Sequence, residues 1–274
     1  MRDILLQANS HPEPTPEWAM EAMAALANLL DAKASLGVCQ VHIPPVSSWL
    51  ANTLLNVDGT IAAENSRSEE NAQILVAAFK AILPQDRLGQ CTVVECPGMV
   101  TPWQLAIRAR THDLTVVPVY GHAETRSVAE GLVFESGHPV LLLPHASAQR
   151  LDRVAVAWDG SSVAARALSD AMSLLHRASV VKIVQITGDK DLSKTAPVAD
   201  VIRNLEWHGI TAQSVNVPAD GMDAAAALQS YCTGEGLDLL VMGAFGHSRA
   251  REFVLGGVTR SILDAPALPV LISH

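Results

Sequence analysis

Aromatic side chains are scarce in this chain: five Trp, four Phe and two Tyr among 274 residues, 4% of the total. Hydrophobic residues nevertheless reach 49%, so the cores have to be built from Ala, Val, Leu and Ile. Long apolar runs are missing as well. None approaches the roughly 20 residues that a helix needs to cross a bilayer, and no membrane association is expected. Blocks of positive charge are also lacking. The net charge is −9, with no long run of one sign, which argues against nucleic acid as a partner, since its groove needs a concentrated basic surface. A small anionic ligand remains compatible, because a local loop can bind phosphate on an acidic protein.

Cysteine is sparse, with four residues at 39, 91, 96 and 232. Cys91 and Cys96 lie near a predicted strand at Thr92 to Val94. They read as small buried apolar residues, ahead of metal ligands or a disulfide. The opening Met1-Arg-Asp-Ile-Leu-Leu6 lacks a signal-peptide layout, and a reducing cytoplasm is the expected compartment. Ten histidines include no close ligand spacing such as H-x3-H, so no metal site is expected. No Ser-His-Asp set, nucleophile elbow or carboxylate pair is legible. Ser161 follows Asp-Gly, but helix capping explains it. No catalytic residue is assigned, and the chain is not expected to be an enzyme.

What is present is repetition, and a length that suits two modest domains or one large one. His112-Asp-Leu-Thr-Val-Val-Pro-Val-Tyr-Gly-His122 resembles Leu237-Asp-Leu-Leu-Val-Met-Gly-Ala-Phe-Gly-His247 at an offset of 125. His138-Pro-Val-Leu-Leu-Leu143 matches Leu268-Pro-Val-Leu-Ile-Ser273 at an offset of 130. Asp3 to Asn9 aligns with Arg153 to Asp159 at an offset of 150. Each half reads as alternating strands and helices, which implies a parallel doubly wound sheet. In the first half the strands fall near Ile4 to Gln7, Val38 to His42, Thr92 to Val94, Leu114 to Val117 and Val140 to Leu143. In the second they fall at Val154 to Trp158, Val180 to Ile186, Thr211 to Val217, Leu239 to Met242 and Val270 to Ile272. Helices are predicted at Val163 to His176, Val198 to Trp207, Asp223 to Cys232 and Thr259 to Ala265. The join lies near Ala146 to Leu151.

One half carries something the other lacks. Gly243-Ala-Phe-Gly246, nine residues, then Gly256-Gly257-Val258-Thr259 follows a strand and opens a helix. That layout binds phosphate, because glycines let the backbone approach closely and a helix N-terminus presents free N–H groups to an anion. In the first half Gly243 becomes Pro118, which has no N–H to donate. Asp159 becomes Asn9, and five residues of the glycine loop are missing. The first half therefore reads as a degenerate copy. Its segment Pro44 to Glu70 is longer than the counterpart Thr187 to Pro197 and holds Trp49, Leu50, Leu54, Leu55 and Val57. It reads as local packing, with a cover over the first cleft or a partner surface as the other readings.

These residues resemble the universal stress protein family in its tandem two-domain form, over nearly the whole chain. Gly243-x2-Gly246-x9-Gly256 matches the family's nucleotide signature, with Gly257 at its hydroxyl position. Trp158-Asp159-Gly160-Ser161 is similar to its D-G-S after the first strand. The resemblance implies an α/β fold of two Rossmann-like domains, at 1–147 and 151–274. Each would be a five-stranded parallel sheet in the order 3-2-1-4-5 with helices on both faces. It implies ATP, with or without magnesium, held between the ends of strands one and four, where a topological switch point also puts ligands. Ala157, Trp158 and Asp159 would lie beside base and ribose, and Ile186 would meet the adenine edge. Met242 and Gly243 would underlie ribose and phosphates. Gly246, Gly256, Gly257 and Val258 would offer N–H groups to the phosphates. It further implies that the two final strands pair as an intramolecular pseudo-dimer, which would close two sheet edges, and it allows a homodimer. A nucleotide-free scaffold and a slow ATPase or nucleotidyl-transfer enzyme are the alternative functions.

Overall fold

The computed structural model describes residues 1–45, 56–120, 123–145, 150–188, 196–244 and 257–274. They divide into two compact units, Met1–Pro118 and Val119–His274.

The first unit opens with strand β1, Asp3–Asn9, whose central five residues are buried. Helix α1, Glu17–Leu30, follows and is rich in Ala, Met and Leu. It stops at Asp31, in the left-handed region at φ 55, whose N–H bonds back to the carbonyls of Ala27 and Asn28. Strand β2 is Lys33–His42, helix α2 Val57–Ile82, strand β3 Leu88–Pro97, helix α3 Pro102–Ala109 and strand β4 Leu114–Val119. The strands lie in the order β3-β2-β1-β4, with every described pair parallel. Residues 57–70 of the long insertion are therefore the start of a 26-residue helix. Its counterpart in the second half has 10 residues. Trp49, Leu50, Leu54 and Leu55 lie outside the described residues.

The second unit begins with helix α4, Ala123–Glu135, and strand β5, Val140–Pro144. It continues through β6, Arg153–Ala157, α5, Ser162–Leu175, and β7, Val180–Thr187. Next come α6, Val198–Trp207, β8, Ala212–Pro218, and α7, Ala224–Gly234. The unit closes with β9, Leu239–Gly243, α8, Gly257–Asp264, and β10, Val270–Ser273. Its strand order is β5-β10-β9-β6-β7-β8. Strands β8 to β10 thus give the expected order 3-2-1-4-5 around β6. The buried run Leu239 to Met242 and the all-buried β10 occupy the centre, as suits strands covered on both faces.

Strand β5 pairs with β10 antiparallel, Val140 with Ile272, Leu141 with Leu271 and Leu142 with Val270. At the repeat offset of 130, Leu141 and Leu271 are counterparts. The register is therefore symmetric about their own pairing. Compactness consequently groups α4 and β5 with the second half, although the repeat assigns them to the first.

The repeat also explains its matched aspartates. Asp113 accepts hydrogen bonds from the backbone N–H groups of Arg2 (2.5 Å) and Asp3 (3.2 Å). Asp238 does the same for Asp152 (3.2 Å) and Arg153 (3.0 Å). Each carboxylate fixes the start of the first strand of its half.

The reading of the cysteines needs correction. Cys39 and Cys96 are joined in a disulfide, Cα to Cα 6.1 Å. Val41 pairs with Cys96 and Cys39 with Val94, so the two cysteines are diagonal neighbours on one face of adjacent strands, a placement that meets the distance a disulfide needs. Their separation of 57 residues hides this from the sequence. Cys232 is a buried free thiol and Cys91 a part-exposed one. Burial pushes the Cys232 thiol up to about 12.

Candidate functional site

Three parallel strands deliver the expected residues to one edge of the second unit. Val156 of β6 pairs with Val241 of β9, and Ala157 with Val184 of β7. The C-terminal ends of β9, β6 and β7 therefore lie side by side, bringing Met242 and Gly243, Ala157 to Asp159, and Ile186 together. Gly257 and Val258 form the first turn of α8. Gly246 and Gly256 lie outside the described residues, as do His247, Arg249 and Arg251 in the same loop.

The turn after β6 is built locally. Gly160 has φ 71, where a glycine is favoured. Asp159 Oδ1 accepts from the Ser161 N–H at 3.1 Å. The Ser161 hydroxyl accepts from the Ala164 N–H at 3.2 Å and caps α5, as its position before the helix predicts.

Trp158 is 6% exposed. Its backbone N–H donates to Val184 and its indole N–H donates to the Ala196 carbonyl at 3.0 Å. The ring therefore packs in the core and secures the chain entering α6. Core packing thus describes the side chain of Trp158, which the resemblance puts beside base and ribose.

Gly243 has a steric reason to be glycine. A Cβ there would stand 2.4 Å from Val163 C, 2.6 Å from Ala164 N and 2.6 Å from Val163 O. These are backbone atoms of α5, and they cannot swing aside. The first turn of α5 thus rests on the end of β9. At Gly257 the situation is the reverse, with no atom of the described residues within 4 Å of a Cβ.

Two neighbours escaped sequence reasoning. Ser273 of β10 pairs with Gly243, is buried, and its hydroxyl has no hydrogen-bond partner among the described residues. The Ala244 N–H donates to the Ser273 carbonyl at 2.8 Å, and His274 Nδ1 lies 3.1 Å from the Ala244 carbonyl oxygen. The one available signal was a serine where the matched strand of the first half has Leu143.

The corresponding edge of the first unit is occupied by its own side chains. Gln7, in the place of Ala157, donates from Nε2 to the Ala8 carbonyl at 3.0 Å and to Asn9 Oδ1 at 3.5 Å. The Asn9 N–H donates to the Thr15 hydroxyl at 2.8 Å. Ser10 and Ser68 share a 2.7 Å hydrogen bond, and Asn71 Nδ2 donates to the Ser10 carbonyl at 2.9 Å. These bonds tie the β1–α1 connection to α2.

Among the described residues no group of three or more His, Cys, Asp or Glu is placed to hold a metal ion, and no helix is long and apolar enough to cross a membrane.

The comparisons with known proteins agree with this fold. The family model described as universal stress protein family matches residues 150–274. The universal stress protein Slr1230 of Synechocystis sp. is 25% identical over 235 residues, covering 82% of this chain and 78% of that protein. The fold of a universal stress protein from Archaeoglobus fulgidus superposes with a TM-score of 0.69 at 17% identity, over 98% of each chain. A putative universal stress protein from Pseudomonas aeruginosa gives 0.52 at 12% identity, over 100% of this chain and 93% of that one. Residues 150–274 thus match the universal stress protein family, and over most of its length the chain is similar in sequence to one universal stress protein and in fold to others.

Proposed function

We propose that this protein is a non-catalytic regulatory module that binds ATP at the C-terminal edge of β6, β7 and β9. The repeats 1–147 and 151–274 act as its two domains. The first is a degenerate copy without nucleotide, and the second carries the site. The observation that bears most weight is the convergence of Ala157, Asp159, Ile186, Met242 and Gly243 on one strand edge, directly before the glycine signature. There Gly246, Gly256, Gly257 and Val258 supply backbone N–H groups to the phosphates. Trp158 serves by holding the chain entering α6. Gly257 forgoes a hydroxyl hydrogen bond of about 0.5–1.5 kcal/mol, which weakens affinity without removing the backbone donors. The self-bonded edge of Gln7, Asn9 and Ser10 supports the assignment of the first copy as nucleotide-free. Cytoplasmic action, with a change in the Gly246–Gly256 loop read by a protein partner, completes the reading.

Calorimetry with ATP and magnesium tests it, run on the parent and on Gly246→Val. Saturable binding by the parent that the variant loses is the expected result. A parent that takes up no heat with ATP, and whose melting temperature ATP leaves unmoved, overturns it. The competing reading is a nucleotide-free scaffold. It is favoured by one observation, that the packing of Gly243 against α5 accounts for that glycine without any ligand.

A further inference from the structure

The first unit carries a chemical feature that its repeat does not. By strand register, Cys39 on β2 corresponds to Ile186 on β7, and Cys96 on β3 corresponds to Ala219 just past β8. The second half therefore holds two aliphatic residues where the first holds a disulfide. Both cysteines are fully buried. Cys96 is the one buried residue of β3; the other nine are part-exposed or exposed. Strand β3 stands at the end of its sheet, with β2 as its hydrogen-bonded neighbour. It is thus an edge strand with little apolar burial of its own, fastened near its C-terminal end by a covalent bond. Sparse burial of this kind marks elements that open locally at low cost.

We propose that Cys39 and Cys96 form a reversible thiol–disulfide switch that governs the attachment of β3, with a small or protein dithiol as the reductant. Local lifting of β3 admits the reductant. Its thiolate attacks one cysteine sulfur, the S–S bond breaks, and the other sulfur leaves as a thiolate that takes up a proton. The second thiol of the reductant then attacks the mixed disulfide and releases the remaining cysteine as a thiol. Two electrons and two protons pass to the pair, and the reductant departs as its own disulfide. Re-formation by a disulfide oxidant runs the same steps backwards. Cys91 does not take part. It pairs with Leu36, so its side chain is on the opposite face of the sheet from Cys39 and Cys96, and exchange has to come from outside the chain. In the reduced state β3 loses the restraint that closes a loop of 57 residues, and its opening becomes more frequent. The switch is independent of nucleotide binding in the other half.

The test uses the full native chain, equilibrated in mixtures of reduced and oxidised dithiothreitol, quenched, denatured and labelled with N-ethylmaleimide. Peptide mapping is expected to show Cys39 and Cys96 gaining label together as the mixture becomes reducing, with Cys91 and Cys232 labelled throughout. Hydrogen exchange of residues 88–97 should be at least about tenfold faster in the reduced protein. A double variant, Cys39→Ile with Cys96→Ala, carries the residues of the matching positions and should exchange at the reduced rate in every mixture. Three results overturn the proposal. Both cysteines label in all mixtures, or both stay protected in all of them, or exchange in β3 is the same in the two states. A redox response that persists in the double variant also overturns it.

Discussion

A methyl group on residue 243 would stand 2.4 Å from the backbone of Val163, closer than any packed carbon tolerates. Gly243→Ala should therefore lower stability by about 1–3 kcal/mol, the usual cost of forcing extra volume into a packed site. Denaturant unfolding without nucleotide measures this. An unchanged midpoint would mean that α5 is free to move off β9. The same geometry makes Gly243 a poor position at which to test binding, because loss of fold and loss of ligand would coincide. Gly257 is the opposite case, since no atom of the described residues stands within 4 Å of a Cβ there. Gly257→Ser restores a hydroxyl where the signature has one, and it should tighten ATP binding several-fold by calorimetry while leaving the melting temperature nearly unmoved. The matched aspartates belong to this scale too. Their recurrence in both halves is visible in the sequence, but their role as anchors for the first strand depends on partners 110 and 85 residues away.

At the scale of elements, the alternation of apolar strands and amphipathic helices was legible because each segment's burial period is local. Helix α6 matches the expected bounds to the residue, most other predicted elements to within two at each end, while β2 begins five residues early and β3 four. The strands of the first half came out longer than expected. Their ends can be polar and exposed, as Lys33 is, and Lys33 is strand because Asp3 of β1 pairs with it. The start of helix α2, residues 57–70, reads as insertion because it is largely polar and the helix's buried face is narrow: Ser68, Ala72, Leu75 and Phe79. The Cys39–Cys96 bond was illegible because it needs the β2–β3 register. Two predictions belong here. Ser161→Ala removes the cap of α5 and should cost about 1 kcal/mol, read from the urea midpoint. Removing the disulfide frees a 57-residue loop and should cost up to about 4 kcal/mol on the chain-entropy account. Unfolding of the parent and of the Ile/Ala double variant, compared under oxidising conditions, checks that figure.

Over the whole molecule, charge placement sets a window of pH. The hydrogen bond from Arg87, then that from Arg2, holds the Asp31 carboxyl below its ordinary 3.8. Ser179 does so for Asp152 through its hydroxyl and backbone. Lys182 holds Glu235 below 4.5. A carboxyl whose folded value is depressed stabilises the fold above its unfolded value and loses that contribution as pH falls through the folded one. Lys182 is raised above 10.5, first by its bond to Glu235 and then by Tyr231. It stabilises fully below 10.5 and loses that contribution as pH rises through its folded value. The melting temperature should thus be flat between about pH 5 and 9 and fall on either side. These pairs are at least partly open to solvent, so 1 M salt should blunt both shoulders. A melting temperature that keeps falling from pH 7 to pH 5 would mean that these carboxylates do not set the acid shoulder.

The symmetric register of β5 on β10 has a consequence for concentration. Leu141 and Leu271 are counterparts in the repeat, and they face each other. Two separate single-repeat chains could make this same contact, as any self-complementary patch related by a two-fold axis can. Such a pair would come apart on dilution. Carried on one chain, the two strands meet at an effective concentration fixed by the connecting segment, so the contact is insensitive to how much protein is present.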